Sequence, residues 1–297
     1  MLYMPEEEEE SMQPFHYVTT KLEIGAQAPF RILHVTDTHI ARADADDDSR
    51  KQALARQRAA AFEGENPGCT ERYFRESAAF ANESGALLVH TGDLFDFVSL
   101  AHDRLAPELL KIPRDCLMAV GNHEFSLYVG EAFEDETYKA QSLARIERML
   151  PGQNLRFYAR EINGVILVAM DNVYYDFTDQ QRKMLLREAE KGKPMLLFFH
   201  NPIYTPALYE EMRNMECCYA VGTPPEKMDF YSDYRYRQQI ATPQTRRFLS
   251  TLFSLKNVKA IFAGHLHRYH ESLLENGVMQ YITDAQYHNA ARLIEVR

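Results

Sequence analysis

The sequence lacks the features of secreted, disulfide-linked and membrane-spanning proteins. Its 297 residues include only four cysteines, which form neither a CxxC pair nor a zinc-ribbon spacing. They are expected to be free thiols, because a chain of this length buries a sufficient core without disulfides or a structural metal. The first residues have neither the basic start nor the apolar core of a signal peptide. No apolar stretch approaches the ~20 residues of a membrane span. These absences predict a cytoplasmic protein.

An excess of positive charge is also missing. The formal net charge is −10 at pH 7, which opposes non-specific contact with nucleic acid or anionic membranes. No basic stripe with interleaved aromatic residues appears outside one tyrosine-rich segment. A nuclease activity is therefore disfavoured, and a small soluble substrate fits the composition better. The sequence does not specify the oligomeric state.

The order of segments predicts one domain with two unusual stretches. Residues 1–16 are an acidic leader whose consecutive glutamates (residues 6–10) repel each other and bury nothing, so a flexible leader is expected. Residues 17–297 form the predicted domain. Within it, residues 204–242 are polar and rich in proline and tyrosine, without clear elements, as expected of a cap or binding loop. The alternative is a solvated insertion that packs on the outer helices.

Short apolar runs alternate with helical stretches along the chain, which predicts an α/β fold. Five runs have the length and composition of strands buried on both faces: residues 32–36, 86–91, 116–120, 195–199 and 258–263. Helices are predicted at residues 52–62, 72–84, 104–111, 137–150, 179–191 and 244–255. A strand at residues 17–24 opens the domain, and residues after 268 alternate as antiparallel strands would. A four-layer α/β/β/α sandwich accounts for this order.

Each of the five apolar runs is followed by side chains that can bind a metal. These side chains are Asp37 and His39, Asp93 and Asp96, Asn122 and His123, His200, and His265 and His267. In open α/β sheets, ligands bind outside the carboxyl ends of the strands. The loops are therefore expected to bring three carboxylates, five imidazoles and one amide to one edge.

A pair of metal ions would explain these residue types and spacings. Asp93 follows a glycine at a strand end and is the natural bridge, because one carboxylate can contact two cations about 3.5–4 Å apart. Asp37 and His39 are two residues apart and lie on the same side of an extended segment. They would hold one ion, while Asn122 and His200 would hold the other. Nitrogen and oxygen ligands without thiolate suit manganese, iron or zinc.

The motif order resembles the calcineurin-like metallophosphoesterase superfamily. Its pattern is D-x-H, G-D-x-x-D, G-N-H-D/E, a lone H and G-H-x-H, and this chain matches each motif in order between residues 37 and 267. The resemblance implies two mixed sheets flanked by helices. It implies a first metal bound by Asp37, His39, Asp93 and His267. It implies a second metal bound by Asp93, Asn122, His200 and His265.

The resemblance also implies a reaction. A hydroxide bridging the two metals would attack phosphorus, His123 would protonate the leaving group, and Asp96 would hold His123 in position. Phosphomonoester and phosphodiester substrates remain open, because both use the same metal pair and acid. The alternatives are a catalytically silent scaffold with this fold and a metal-binding protein without turnover.

The remaining candidate residues are predicted on weaker grounds. Tyr204, Arg235 and Arg237 lie in the tyrosine-rich segment and would contact the non-phosphate part of a substrate. Isolated histidines in strands usually belong to the core, so His34 and His90 are expected to be structural. A surface position is expected for His16, His102 and His288, and Glu124 is expected to cap a helix or pair locally.

Overall fold

The computed structural model of the chain describes residues 15–129, 136–148, 152–213, 220–228, 236–237 and 239–297. The glutamates at positions 6–10 and Arg235 lie outside these residues, and so do parts of the predicted insertion. Within the described chain, no helix is both long and apolar enough to cross a membrane.

The first sheet has five strands and mixed direction. Its strands are β1 (His16–Leu22), β2 (Phe30–Val35), β3 (Leu87–His90), β4 (Cys116–Met118) and β11 (Ala290–Val296). Their spatial order is β1-β11-β2-β3-β4. The central pairs β2–β3 and β3–β4 are parallel, so the carboxyl ends of these three strands meet at one edge.

The second sheet has six strands and is also mixed. Its strands are β5 (Phe157–Ile162), β6 (Val165–Met170), β7 (Met195–Phe198), β8 (Val258–Ala263), β9 (His270–Leu273) and β10 (Met279–Ile282). Their spatial order is β5-β6-β7-β8-β10-β9. Strands β6, β7 and β8 run parallel, which brings the ends of β7 and β8 side by side.

Helices cover the outer face of each sheet. The helices are α1 (Ser49–Glu63), α2 (Cys69–Ser84), α3 (Leu100–Leu109), α4 (Glu136–Glu147), α5 (Asp179–Ala189), α6 (Pro206–Arg213) and α7 (Pro243–Ser254). Side chains of α2 and α3 share a buried cluster with Leu33 and Leu88 of the first sheet. Those of α5, α6 and α7 pack on the outer face of the second. The four-layer prediction is confirmed.

Strand residues alternate between the two faces, and both faces are buried. In β7, Leu196 and Phe198 enter the core between the sheets, where they meet Ile32 and Val89 of the first sheet. Their neighbour Leu197 faces the outer helices instead. Period-2 alternation with burial on both sides explains why these strands appear in the sequence as continuous apolar runs.

Strand direction after residue 268 is only partly as predicted. β9 and β10 pair antiparallel, and β11 is antiparallel to β2. However, β10 is parallel to β8, and β11 is parallel to β1. The expectation of purely antiparallel strands was wrong, because β11 returns to the first sheet and inserts between β1 and β2. The alternation of apolar and polar residues indicates which face of a strand is buried, but not whether the neighbouring strand runs parallel or antiparallel to it.

Two local expectations also fail. The segment after residue 204 was predicted to lack clear elements, yet α6 forms there, and Leu208, Tyr209 and Met212 are buried in the outer core. The Thr205 hydroxyl accepts the backbone N–H of Leu208 at 3.1 Å and caps this helix.

His102 was expected at the surface but is only 1% exposed, because α3 begins at Leu100 and turns the imidazole inward.

Candidate metal centre

The loops that follow β2 and β3 are joined backbone to backbone. Asp37 N–H donates to the carbonyl of Gly92, and His39 N–H donates to the carbonyl of Asp93, both at 2.9 Å. Gly92 has φ of +100°, and a Cβ at this position would lie 2.2 Å from the backbone nitrogen of Gly121. Glycine is therefore required where the loops after β3 and β4 touch. The contact places the carboxylate of Asp93 beside the motif residues of both neighbouring loops.

One group of side-chain atoms converges after β2 and β8. The Nε2 atoms of His39 and His267 lie 3.1 Å apart, and His267 Nε2 lies 3.1 Å from Asp37 Oδ1. Asp93 Oδ2 is 3.8 Å from His39 Nε2. These atoms belong to the four residues predicted for the first metal.

A second group converges beside the first. His200 Nε2 lies 3.2 Å from Asn122 Oδ1, 3.2 Å from Asp93 Oδ2 and 3.1 Å from His265 Nδ1. These are the residues predicted for the second metal. The same oxygen of Asp93, Oδ2, faces both groups, as in a carboxylate that bridges two metals through one oxygen.

Each of the four imidazoles uses its other nitrogen in a hydrogen bond that fixes the ring. The pairs are His39 with the Asp96 carboxylate (2.9 Å), His200 with the Thr91 carbonyl (2.8 Å), His265 with the Tyr175 hydroxyl (3.0 Å) and His267 with the Tyr287 hydroxyl (3.0 Å). Metal-bound histidines almost always have such an outer partner.

The backbone around the converging atoms is strained. Nine non-glycine residues in the described chain have positive φ, and five of them are candidate ligands: Asp37, His39, Asp93, His265 and His267. Each such conformation costs on the order of 1–3 kcal/mol, and strain of this kind clusters at functional sites. The fold maintains it here because the loops are tied to each other and to the sheets.

Buried negative charge makes the cluster attractive to cations. Asp37 and Asp93 are at most 1% exposed. Burial lowers the pKa of His200, but the carboxylates of Asp93 and Asp37 outweigh burial and raise that pKa to about 9. Positive charge is therefore stabilised at a position far from solvent.

The donor set fits divalent metal ions. The neutral imidazole, which is the form that binds a metal, carries one proton, and in that form His39 and His200 hold it on the outer nitrogens that donate to Asp96 and Thr91. Their inner nitrogens therefore present lone pairs toward carboxylate and amide oxygens. Within the described residues there are three sets whose ligand atoms lie within 4.8 Å of one another: Asp37, His39 and His267; His39, Asp93 and His123; and Asp93, His200 and His265. Metal cations bound between these atoms would accept their lone pairs and offset the negative charge of the carboxylates.

His123 lies at the edge of the cluster and is held by Asp96. Its Nδ1 donates to the backbone carbonyl of Asp96 at 2.7 Å and lies 3.1 Å from carboxylate Oδ1 of the same residue. Its side chain is 17% exposed, whereas that of Asp96 is fully buried. Burial lowers the pKa of His123, but Asp93 and Asp96 raise it to about 10. These carboxylates therefore favour the protonated imidazole in the metal-free protein, and Nε2 is the nitrogen left for other partners.

Glu124 joins the loops after β3 and β4, which the sequence did not predict. Its two carboxylate oxygens accept backbone N–H groups from Asp93 (2.9 Å), Leu94 (2.6 Å), Phe95 (3.2 Å) and Gly121 (2.7 Å). Glu124 therefore acts as an acceptor for the turn that carries Asp93, rather than as a helix cap.

Helix α1 contributes two residues that no sequence motif indicates. Arg58 donates to both carboxylate oxygens of Asp96, and Phe62 stacks on the His39 ring with centroids 4.4 Å apart. Arg58 and Phe62 are four residues apart and share one helix face. That spacing is the only sequence signal, and it does not indicate which loop the face contacts.

The residues predicted to contact the substrate are Tyr204, Arg235 and Arg237. Tyr204 packs against the outer core of the second sheet, and its ring lies 6.1 Å from that of Tyr209. Arg237 is exposed, and Arg235 lies outside the described residues. Their role toward a substrate remains a prediction, as does the cap at residues 204–242.

Three other histidines lie outside the two groups of candidate ligands and form hydrogen bonds with neighbouring side chains. His34 and His90 are buried and hydrogen-bonded to Thr91 and Thr38 respectively, as expected for core residues. His270 contacts Glu211 of α6 at 2.5 Å.

Comparison with known proteins identifies the family. The family profile described as calcineurin-like phosphoesterase matches residues 30–269. Solved structures of similar fold include a dimetal phosphatase from Danio rerio, with 14% identity, 87% of this chain and 88% of that chain covered, and a TM-score of 0.50. A phosphopantetheinyl hydrolase from Mycobacterium tuberculosis has 13% identity, coverage of 88% and 92%, and a TM-score of 0.41. A 5'-nucleotidase from Candida albicans has 14% identity, coverage of 92% and 47%, and a TM-score of 0.40.

No match was found among curated protein sequences. At such low identities, the structural similarity to the dimetal phosphatase establishes the fold alone. The profile match includes every motif from Asp37 to His267 and spans most of the chain, so the chain belongs to the calcineurin-like phosphoesterase family.

Proposed function

We propose that the protein hydrolyses a small phosphoric ester with two bound metal ions, and that His123 donates the proton to the leaving group. Asp37, His39, Asp93 and His267 hold one ion. Asp93, Asn122, His200 and His265 hold the other. The ions are manganese, iron or zinc, for which oxygen and nitrogen ligands without thiolate are suitable.

The observation that carries this proposal is the position of Asp93 Oδ2. It lies 3.2 Å from His200 Nε2 and 3.8 Å from His39 Nε2, so one oxygen is shared by two groups of ligand atoms. When bound, the ions supply the Lewis acidity that polarises the phosphoryl group and makes water nucleophilic near neutral pH.

His123 has the geometry of a proton donor. Its Nδ1 is committed to Asp96, which fixes the ring and leaves Nε2 for the leaving oxygen. The backbone N–H of His123 donates to Asp93 Oδ1 at 2.8 Å, so the imidazole is tied to the residue that both ions share. A positioned acid of this type contributes about 10²–10⁴-fold to the rate.

The rival function is a scaffold that has the fold without catalysis. Loss of catalysis is expected to leave missing ligands or a missing acid. Every candidate ligand and His123 are present, and the outer nitrogen of each ligand histidine has a partner. A precise arrangement of this kind favours an enzyme over a scaffold.

The test compares two chromogenic esters. Manganese-loaded protein is assayed with nitrophenyl phosphate and bis-nitrophenyl phosphate, beside the variants His123→Ala and His16→Ala. His16 is exposed on β1, so its variant controls for the loss of a histidine away from the cluster.

We expect metal-dependent hydrolysis that is unchanged in His16→Ala and falls in His123→Ala. The fall should reach about 10²-fold or more with phenyl phosphate, assayed in parallel because its leaving group needs protonation more than nitrophenolate does. Preference for the diester or the monoester assigns the substrate class. Equal activity of the two variants would refute the role of His123. Absence of turnover with either ester and with manganese, iron and zinc would favour the scaffold.

A further inference from the structure

Arg58 of helix α1, which lies outside the motif loops, forms a bidentate contact with the carboxylate of Asp96. Its Nε donates to Asp96 Oδ2 at 2.6 Å, and its Nη2 donates to Oδ1 at 2.9 Å. A planar guanidinium matches both oxygens of a carboxylate at once, which fixes the plane of the acceptor as well as its position. Arg58 is 24% exposed, while Asp96 is fully buried.

The orientation of the Asp96 carboxylate matters because one of its oxygens contacts two histidines at once. Its Oδ1 accepts from His39 Nδ1 at 2.9 Å and lies 3.1 Å from His123 Nδ1. Among the described residues, the only hydrogen-bond donor to Oδ2 is Arg58. The histidines hold Oδ1 alone, and the bidentate contact from Arg58 adds an anchor at Oδ2, so that both oxygens define the plane of the carboxylate.

Arg58 is itself held in place by the helix face it shares with Phe62. Its guanidinium carbon lies 4.7 Å from the centroid of the Phe62 ring. That ring stacks in parallel on His39 and meets the Tyr287 ring edge-on, with centroids 4.8 Å apart. A chain of contacts therefore runs from α1 through Arg58 and Phe62 to a candidate metal ligand.

We infer that Arg58 is a positioning residue of the active site, which holds the Asp96 carboxylate in the one orientation that aligns both His39 and His123. The inference rests on the proposed function for the role of His123, but its effect on His39 is independent of turnover. Lysine would not replace arginine, because a single ammonium cannot bind both carboxylate oxygens in a fixed plane.

The experiment uses the full chain with three variants. Arg58→Ala removes the guanidinium, Arg58→Lys keeps the charge, and Arg56→Ala is the matched control, because Arg56 is exposed on the same helix. Manganese affinity is measured by titration calorimetry. The values of kcat and KM are measured with nitrophenyl phosphate and with phenyl phosphate, whose leaving group needs protonation more. If wild-type protein prefers diesters, the matching diesters are used.

We expect Arg58→Ala to bind manganese about 10-fold more weakly than Arg56→Ala, at the low end of the range for loss of a direct partner of a metal ligand, because Arg58 acts on His39 through Asp96. At saturating manganese, kcat should fall more for phenyl phosphate than for nitrophenyl phosphate, with little change in KM. Arg58→Lys should not recover either property. Added guanidinium chloride at millimolar concentration should raise the kcat of Arg58→Ala, and methylammonium should not.

Two results would overturn the inference. One is manganese affinity and kcat of Arg58→Ala equal to those of Arg56→Ala. The other is recovery in Arg58→Lys, which would mean that charge alone matters. If wild-type protein has no phosphoesterase activity, the proposed function fails, yet the manganese titration still tests the link from Arg58 through Asp96 to His39.

Discussion

Glu124 holds the backbone N–H of Asp93 at 2.9 Å, so the residue that would bridge two metals is positioned by a second buried carboxylate. Both oxygens of Glu124 face N–H groups only: Oε2 accepts from Asp93 and Gly121, and Oε1 accepts from Leu94 and Phe95. Four backbone donors would otherwise be buried without partners. The loops after β3 and β4 therefore depend on an acceptor with two equivalent oxygens.

Replacing Glu124 by glutamine should destabilise the fold and weaken metal binding. The amide NH2 group would face two N–H donors whichever way it is turned, and each unsatisfied buried group costs about 1–3 kcal/mol. Chemical denaturation should report a lower free energy of unfolding, and calorimetry a lower manganese affinity. Glu83→Gln, an exposed substitution on α2, is the control. Equal stability of the two variants would contradict this role of Glu124.

Changing single candidate ligands should remove different numbers of ions. Asp93→Asn weakens the oxygen shared by both groups, so manganese content measured by mass spectrometry should fall from two ions toward none. His200→Gln affects only the group that contains Asn122 and His265, so about one ion should remain. The same content in both variants would argue against a bridging role for Asp93.

Gly264→Ala should disrupt the loop that carries His265 and His267. A Cβ at Gly264 would lie 1.9 Å from Thr36 Oγ1 and 2.5 Å from Asp37 Oδ2, so the loops after β2 and β8 would have to separate. Manganese binding should be lost or weakened at least tenfold. Gly192→Ala is the control: it has φ of +68° but no atom within 4 Å of the added Cβ, so it costs stability without altering affinity.

His102 should make the protein less stable as the pH falls from about 6.5 to 4. Burial lowers the pKa of His102 to about 4, whereas an exposed histidine has a pKa near 6.5. In this range the unfolded chain takes up a proton that the folded protein does not, so folding loses up to about 3 kcal/mol. The ring nitrogens explain the resistance to protonation: Nδ1 donates to the Phe97 carbonyl, while Nε2 accepts the Arg42 backbone N–H.

The measurement is the difference in unfolding free energy between wild type and His102→Gln at several pH values. The substitution removes the titrating group and should destabilise the protein near pH 7. That difference should shrink as the pH is lowered to 4. A difference independent of pH would mean that His102 does not titrate abnormally in the folded state.

The sequence predicted the four layers because buried strands leave a local signature. Continuous apolar runs such as residues 195–199 indicate burial on both faces, and helical stretches between them indicate the outer layers. Pairing direction has no such signature. Nothing within residues 290–296 indicates that β11 would lie between β1 and β2, because that position depends on segments far away in the chain.

The positions of the motif residues could be predicted because they depend on local sequence. The residues that pack around them could not be predicted, because their positions depend on tertiary packing. Asp37, Asp93 and His200 each directly follow or nearly follow a strand end, so local order fixes their edge of the sheet. Arg58 and Tyr287 reach the cluster through the packing of α1 and of the turn before β11. His102 was misplaced because the predicted helix began too late, although Ser99 accepts the backbone N–H of His102 and marks the true start.

The central position of β11 has a consequence for the order of folding. β2 ends next to Asp37 and His39, and it pairs with β3 on one side and with β11 on the other. During synthesis, β2 and β3 emerge long before β11, so the strand that leads to the first candidate ligands has one unpaired edge until β11 arrives. Capture of metal by these residues is therefore expected to follow sheet closure, and manganese binding would serve as a late marker of correct folding.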